Sequence, residues 1–306
     1  MRVLVSGVNG QLGYDVMLEL GRRGHEAIGT GSSKAYTGLM LIDPKSYCQL
    51  DITDADAVDQ LISGIKPDAF VHCAAWTAVD DAEDPINRKR VFDLNAYASG
   101  YIAGACRKNN TKLVYISTDY VFGGQGTELL MPDSKNFTPL NVYGQSKLEG
   151  EFAVTRNTDR FFIVRTEWVF GSNGHNFVKT MLRLGSTHKT VRVVNDQIGT
   201  PTYTVDLARL LVDMIESEQF GYYHATNEGG FISWYDFACE IYRQAGINTS
   251  VIPVKTDEYS KLRALRPLNS RLDNSKLTKN GFDLLPDWHY ALSRFLKEVR
   301  NGTVYF

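Results

Sequence analysis

The chain has 306 residues, of which 43% are apolar and 22% are charged, and its formal net charge is −2. This balance is typical of a soluble globular protein and predicts neither a nucleic acid nor a membrane surface as a partner. The length suffices for one large α/β domain with a smaller lobe. The four cysteines form no C-x-x-C pair and the six histidines show no ligand spacing. We therefore expect reduced thiols, a cytoplasmic location and no metal site.

The first strand runs directly into a glycine-rich turn. Arg2–Ser6 is short and apolar, Gly7–Gly13 has glycines spaced G-x-x-G-x-x-G, and a helical pattern follows. In a dinucleotide-binding unit the first glycine permits the tight turn, the second lets amides approach a pyrophosphate, and the third lets the helix pack on the strand. The strand–turn–helix context therefore predicts a dinucleotide site.

Strand and helix patterns alternate through the first two-thirds of the chain. Helices are predicted at 54–65 with Thr53 as the N-cap, from Pro85 towards Lys108, and at 141–155. Short strands are predicted at 3–6, 26–29, 47–50, 69–73, 112–117 and 161–166. Apolar strands separated by helices predict an α/β fold, a Rossmann-like doubly wound parallel sheet.

After about residue 170 the pattern loosens. Helices are predicted at 176–185, 205–217, 233–245 and 287–300, with short strands at 191–195, 222–225 and 251–254. This predicts a smaller C-terminal α/β lobe over the carboxyl edge of the sheet, where ligands bind in such folds. We expect a dinucleotide-binding domain over 1–170 and a substrate-binding lobe over 171–306, with some segments of the latter returning to the main domain.

A tyrosine and a lysine stand four residues apart in a predicted helix. Tyr143 and Lys147 would lie on one face, one turn apart. A phenol has an ordinary pKa near ~10, and a neighbouring ammonium group lowers it towards neutral pH. The pair therefore suits a tunable acid/base, although a surface Tyr–Lys pair is the alternative interpretation.

A hydroxyl-rich segment follows the predicted fifth strand. Thr118, within Ser117–Gly123, would lie at the carboxyl end of the strand, where a carbonyl substrate would sit. Its hydroxyl would then bind the substrate oxygen and help to hold Tyr143. The alternative is a turn-forming Ser-Thr-Asp cluster, but the glycine motif and the Tyr143–Lys147 pair in the same chain favour the functional interpretation.

Together these segments resemble the extended short-chain dehydrogenase/reductases and, more narrowly, the dTDP-4-dehydrorhamnose reductase family. The resemblance covers nearly the whole chain, and Ser117–Phe122 and Asp196–Thr202 are its most specific segments. It implies NAD(P)H-dependent reduction of the C4 ketone of dTDP-4-dehydro-L-rhamnose to dTDP-L-rhamnose. The alternatives are another nucleotide-sugar reductase, epimerase or dehydratase, and a non-catalytic NADP-binding regulatory subunit like that of methionine adenosyltransferase.

The resemblance also implies residue roles. The catalytic set would be Thr118, Tyr143 and Lys147, and the substrate would contact Thr118, Asp119, Tyr120, Trp168 and Arg266. Arg263 and Arg271 are further candidates for the substrate diphosphate, because guanidinium groups suit phosphate oxygens. The cofactor would contact Tyr143 and Lys147 together with Gly7, Gly10, Gln11, Leu12, Gly13, Thr30, Asp51, Ile52, Ala74, Ala75 and Thr77.

Two departures from family patterns carry predictions. Where NAD-selective members have an acidic residue after the second strand, this chain has hydroxyls from Thr30 onward and then Lys34, which favours NADPH over NADH. Some members join a dimer through a metal held by glutamates. We match those positions to Asp15, Thr187 and His289, and therefore expect no metal, and either a monomer or a homodimer.

Overall fold

The structure is a computed structural model that describes residues 1–38, 46–258 and 263–302. The strands in chain order are β1 (Arg2–Ser6), β2 (Glu26–Gly31), β3 (Tyr47–Gln49), β4 (Ala69–His72), β5 (Lys112–Thr118), β6 (Phe161–Thr166), β7 (Val169–Phe170), β8 (Thr190–Val194), β9 (Ile198–Gly199), β10 (Thr202–Tyr203), β11 (Gly221–His224), β12 (Asn227–Glu228), β13 (Ile232–Ser233), β14 (Ser250–Val254) and β15 (Leu285–Asp287).

The α-helices are α1 (Gln11–Arg22), α2 (Ala55–Ile65), α3 (Val79–Ala82), α4 (Pro85–Phe92), α5 (Ala98–Lys108), α6 (Val142–Asn157), α7 (Phe177–Thr187), α8 (Thr204–Ile215), α9 (Trp234–Ala245), α10 (Ser275–Lys279) and α11 (Trp288–Arg300). Short 3₁₀ turns cover Asp119–Val121 and Thr256–Glu258. No helix in the described ranges is long and apolar enough to cross a membrane.

A seven-stranded sheet forms the centre, in the order β11-β6-β5-β4-β1-β2-β3. Every neighbouring pair in it is parallel. The predicted doubly wound Rossmann-like fold is therefore confirmed. Because parallel strands share one direction, their carboxyl ends meet at a single edge, and this edge carries the site described below.

Both faces of the sheet are buried, which explains the continuous apolar sequence of its strands. In β1, Val3 and Val5 pack on one face with Leu20 of α1, whereas Leu4 packs on the other face with Ile102 of α5. A separate core, built from α7, α9 and α11, lies in the C-terminal part of the chain.

Two segments beyond residue 170 join the main sheet. Strand β11 pairs with β6, and helix α8 packs against α1 on one face of the sheet. The division of the chain at residue 170 stays a prediction.

Several predicted helix boundaries need correction. Asp54, not Thr53, caps α2, because its carboxylate accepts a hydrogen bond from the amide of Ala57 at 3.0 Å. The helix predicted from Pro85 to Lys108 is interrupted by a π-helical turn at Asp93–Tyr97. Single π turns of this kind are frequent at functional sites, and Asp93 and Leu94 of this one line the cavity described next.

Candidate active site

The glycine-rich turn packs too tightly for side chains. Gly7 has φ +74°, and a Cβ atom there would lie 2.7 Å from the amide nitrogen of Ala74. A Cβ atom at Gly13 would lie 2.4 Å from the carbonyl oxygen of Gly7. Gly10 caps α1 without a side-chain hydrogen bond. The first amides of α1 are therefore available to bind an anionic ligand. The glycine-rich turn Gly7–Gly13, called the glycine cradle below, thus fits a dinucleotide pyrophosphate.

A cavity of about 730 Å³ opens at the carboxyl ends of the sheet strands. Most of the residues predicted from the sequence line it. They are Gly7, Gly10, Gln11, Leu12, Gly13, Thr30, Asp51, Ile52, Ala74, Ala75, Thr77, Thr118, Asp119, Tyr120, Tyr143, Lys147 and Trp168. The predicted cofactor and catalytic residues thus share one space.

Close packing of α6 on the end of β5 brings the predicted catalytic groups together. Asn141 caps α6 by accepting a hydrogen bond from Gly144 N at 2.8 Å. A Cβ atom at Gly144 would lie 2.3 Å from the carbonyl oxygen of Tyr120. Glycine is therefore needed here for the helix to approach the segment that follows Thr118.

Tyr143 is held in its protonated form. Burial raises the pKa of Tyr143 well above that of a free phenol, a hydrogen bond with Thr118 lowers it in part, and the nearby charge of Asp119 raises it again. The ring packs edge-on against Tyr120, with 5.6 Å between the ring centres. The expectation that Lys147 lowers this pKa is not met in the structure, because burial dominates.

Lys147 is 3% exposed and lies over an aromatic ring. Its ammonium nitrogen is 4.0 Å from the centre of the Tyr115 ring. Burial lowers the pKa of Lys147 to about 7, against the opposing charge of Glu151. The Tyr115 hydroxyl donates to the carbonyl oxygens of Asn95 and Lys147, which fixes the ring under the amine.

Two indoles stack at the side of the cavity formed by the C-terminal part of the chain. Trp168 and Trp234 lie with ring centres 3.8 Å apart, and Phe177 packs on Trp234 at 4.5 Å. Trp168 has φ +48°, an unfavourable backbone conformation for a large side chain. Strain of this kind is found at functional sites, and Trp168 offers an apolar surface to a ligand.

Two carboxyl groups lie in the cavity wall beside these rings. Asp119 accepts hydrogen bonds from Thr118 Oγ1 at 2.9 Å and from Ser270, and burial raises its pKa to about 6. Glu167 is 3% exposed, and its Oε1 accepts a hydrogen bond from Thr200 N at 3.0 Å. Burial, followed by the charge of Asp119, raises the pKa of Glu167 well above its usual range.

Comparison with known proteins agrees with this geometry. The family model described as the RmlD substrate binding domain matches residues 1–301. The spore coat polysaccharide biosynthesis protein SpsK of Bacillus subtilis is 36% identical over 298 residues, covering 97% of each chain. The dTDP-4-dehydrorhamnose reductase of Aggregatibacter actinomycetemcomitans is 36% identical over 304 residues, covering 95% of this chain and 97% of that protein.

The chain belongs to the dTDP-4-dehydrorhamnose reductase family. The resemblance inferred from the motifs is therefore confirmed, and with it the prediction of an oxidoreductase. A dTDP-4-dehydrorhamnose reductase structure from Clostridium acetobutylicum superposes with a TM-score of 0.88 at 37% identity, covering 98% of this chain and 100% of that one. One from Bacillus anthracis, in complex with NADP, has a TM-score of 0.84 at 38% identity and covers 97% and 99%.

The segment at the end of β2, on which the predicted preference for NADPH rests, differs from the sequence expectation in which of its residues reach the cavity. Strand β2 continues to Gly31, so Thr30 is buried within the strand and Ser32 and Ser33 follow its end. Both serines line the cavity, and Lys34 does not. Arg90 from α4 lines the cavity instead, close enough for its charge to help lower the pKa of Asp51.

Arg266 lies outside the main cavity. It lines a second cavity of about 690 Å³, together with Arg263. Its guanidinium donates to both carboxylate oxygens of Asp80, at 3.2 and 2.7 Å. Much of its hydrogen-bonding capacity is therefore used within the protein. Arg271 donates to the side chain of Asn269 and lines neither cavity.

The three positions that we matched to the metal-binding glutamates of some reductases have separate surroundings, and the match stays a prediction. Buried Asp15 has Thr204 and Glu298 as its neighbours, and burial raises its pKa to about 7. Thr187 instead hydrogen-bonds within the end of α7, and the ring of His289 stacks on Trp288. Within 1–38, 46–258 and 263–302, no three or more Cys, His, Asp or Glu residues form a group suited to a metal ion.

Sequence reasoning missed several residues that line the cavity. Trp234 and Arg90 reach it from helices distant in sequence. Glu167 had one signal, since it directly follows the predicted strand 161–166 and precedes Trp168. A carboxylate at that point is unusual enough to indicate a ligand contact.

Proposed function

We propose that the protein reduces the C4 ketone of dTDP-4-dehydro-L-rhamnose to give dTDP-L-rhamnose, with NADPH as the preferred reductant and NADH as the weaker alternative. The observation that carries this proposal is the convergence of Thr118, Tyr143 and Lys147 on the cavity that the glycine cradle enters. The names of the full-length relatives support the nucleotide-sugar substrate, and the NADP complex of the Bacillus anthracis reductase supports the cofactor.

The cofactor and the residues of the cavity have separate roles in the proposed reaction. Bound NADPH supplies the hydride, and the amides at the start of α1 bind its pyrophosphate. The Thr118 hydroxyl, which donates to Asp119 in the structure, turns to the ketone oxygen and orients it, and the Tyr143 phenol donates a proton to that oxygen. Because burial keeps Tyr143 protonated, the acid is available at neutral pH. Charged Lys147 then stabilises the phenolate that forms on proton transfer.

The substrate is placed by the wall opposite the cofactor cradle. Trp168, backed by Trp234, packs against the deoxysugar, and Asp119 and Tyr120 contact its polar groups. Arg266 serves the diphosphate only at its remaining N–H groups, because Asp80 occupies two of them. We place this reaction in the cytoplasm, carried out by a monomer or homodimer with a cofactor unit over 1–170 and a substrate lobe over 171–306.

A coupled assay tests the proposal. The protein is mixed with NADPH and dTDP-4-dehydro-L-rhamnose, NADPH oxidation is followed by absorbance, and the product is identified by NMR. We expect one NADPH consumed for each dTDP-L-rhamnose formed. NADPH binding without oxidation would favour a regulatory subunit, and a rearranged keto-sugar without net oxidation would favour an epimerase; either result overturns the proposal.

A further inference from the structure

The wall of the cavity holds a carboxyl oxygen that lacks a partner. Glu167 Oε1 accepts from Thr200 N, but Glu167 Oε2 is buried and makes no hydrogen bond with any described residue. A buried polar atom without a partner costs free energy comparable with a lost hydrogen bond. Such an atom in the lining of a ligand cavity is explained when the ligand completes the bond.

Glu167 Oε2 occupies the space that a side chain at Gly199 would fill, and this packing keeps the oxygen in place. A Cβ atom at Gly199 would lie only 2.0 Å from Glu167 Oε2 and 3.0 Å from Trp168 Cε2. Any side chain at position 199 would therefore displace the carboxyl group and the indole. Strand β9, which ends at Gly199, pairs with β13, which holds this backbone in register.

The position also suits contact with a sugar. Glu167 lines the same cavity as Thr118, Tyr143 and the neighbouring Trp168. In the proposed function Trp168 packs on the deoxysugar and Thr118 meets its ketone oxygen. Thr166, the residue before Glu167, is the strand partner of Thr118. Glu167 therefore lies within reach of the hydroxyls on the same ring.

We propose that Glu167 hydrogen-bonds a ring hydroxyl of the substrate sugar and thereby selects keto-sugars that carry this hydroxyl. The inference rests on the proposed function and adds a specificity-determining residue to it. A carboxyl group that burial and Asp119 keep protonated both donates and accepts a hydrogen bond, as a sugar hydroxyl does. A site built to bind a hydroxyl rejects the analogue that lacks it, because its own polar group is then left unpaired.

A merely structural role is the competing explanation, because Oε1 also holds the Thr200 amide. Glu167→Gln separates the two roles. Its amide oxygen can still accept from Thr200 N, and its NH₂ group can still donate at the position of Oε2. Glu167→Ala removes both contacts. We expect kcat/KM for the sugar to fall about tenfold or more in Glu167→Ala and to stay within about threefold of the wild type in Glu167→Gln.

The decisive experiment combines these variants with deoxygenated substrates. The wild type, Glu167→Gln and Glu167→Ala are assayed with dTDP-4-dehydro-L-rhamnose and with its 2-deoxy and 3-deoxy analogues. NADPH binding, followed by protein fluorescence, reports whether each variant is folded. We expect the loss caused by removing one of the hydroxyls to be about tenfold in the wild type and to disappear in Glu167→Ala, with NADPH affinity unchanged.

Equal losses in the wild type and in Glu167→Ala for both analogues would overturn the inference and leave the proposed function intact. Weak binding of NADPH by Glu167→Ala together with failure of Glu167→Gln to restore turnover would also overturn it, since both point to a structural role. A wild type that does not reduce the parent keto-sugar at all contradicts the proposed function instead.

Discussion

The ammonium group of Lys147 and the ring of Tyr115 form a cation–π contact of 4.0 Å beneath the cavity floor. Tyr115 is buried in β5 and Lys147 is buried in α6. The contact therefore ties the helix that carries the proposed acid to the strand that ends at Thr118. Burial of the amine between these elements lowers the pKa of Lys147 to about 7.

The first prediction concerns pH. Because the pKa of Lys147 is lowered to about 7, its charge is present below that pH and is lost as the pH rises through it. We expect kcat/KM for NADPH, which reports the free enzyme, to fall about tenfold per pH unit above about 7. Lys147→Arg keeps the charge at all these pH values, so its kcat/KM for NADPH should show no such decline with pH, whatever its overall rate. A wild-type profile that stays flat to about pH 9 contradicts the role given to Lys147.

The second prediction concerns the acid. Tyr143→Phe retains the ring that packs on Tyr120 but removes the proton. We expect kcat to fall about 10²-fold or more, with NADPH affinity and thermal unfolding close to the wild type. Tyr120→Phe, which alters a neighbouring phenol, is the matched control and should lose less. Turnover of Tyr143→Phe at the wild-type rate would exclude Tyr143 as the proton donor.

The third prediction concerns the choice of cofactor. Ser32 follows the end of β2 and lines the cavity. Ser32→Asp places a carboxylate where it repels a 2′-phosphate and accepts from a free ribose hydroxyl, so kcat/KM should shift towards NADH by about tenfold or more. An asparagine at this position has nearly the same shape as an aspartate but no charge, so Ser32→Asn should change the cofactor preference little. The interpretation of this region fails if the wild type prefers NADH or if both variants behave alike.

The fourth prediction concerns a buried ion pair behind the site. Arg165 and Glu151 are fully buried, and Arg165 donates to both carboxylate oxygens at 2.8 and 2.7 Å. Glu151 also accepts from Ser117, the neighbour of Thr118, at 2.6 Å. Glu151→Ala leaves the guanidinium buried without its partner and should lower the free energy of unfolding by about 3–5 kcal/mol.

Urea unfolding measures that loss. The double variant Glu151→Leu, Arg165→Met removes both charges and keeps much of the buried volume, so it should be clearly more stable than Glu151→Ala. If the double variant is as unstable as the single one, packing rather than the unpaired charge accounts for the loss.

Local patterns made the fold and most of the cavity lining predictable. The glycine spacing predicted the cradle because only residues without a Cβ atom fit against Gly7 and Ala74. The four-residue spacing of Tyr143 and Lys147 predicted their shared helix, since helical periodicity fixes which residues are neighbours. The strand patterns predicted the parallel sheet, since strands buried on both faces are apolar throughout.

The remaining features depend on long-range contacts that a local pattern does not contain. Lys34 lies next to the second strand in sequence, yet it is Arg90 of α4, distant in sequence, that lines the cavity. The pKa of Tyr143 follows burial that only tertiary packing creates. The fold also places Glu298 of α11 near Asp15 of α1, a contact that no local pattern contains.

Transfer of deuterium from a labelled cofactor tests the central claim most directly. NADPH carrying deuterium at the transferable C4 position of its nicotinamide is incubated with dTDP-4-dehydro-L-rhamnose and the wild-type protein, with Tyr143→Phe as the matched control. We predict one deuterium at C4 of the dTDP-L-rhamnose formed by the wild type, and little product from the variant. A product without deuterium at C4, or none at all from wild-type protein that binds NADPH, would contradict the assignment of this cavity as a reductase site.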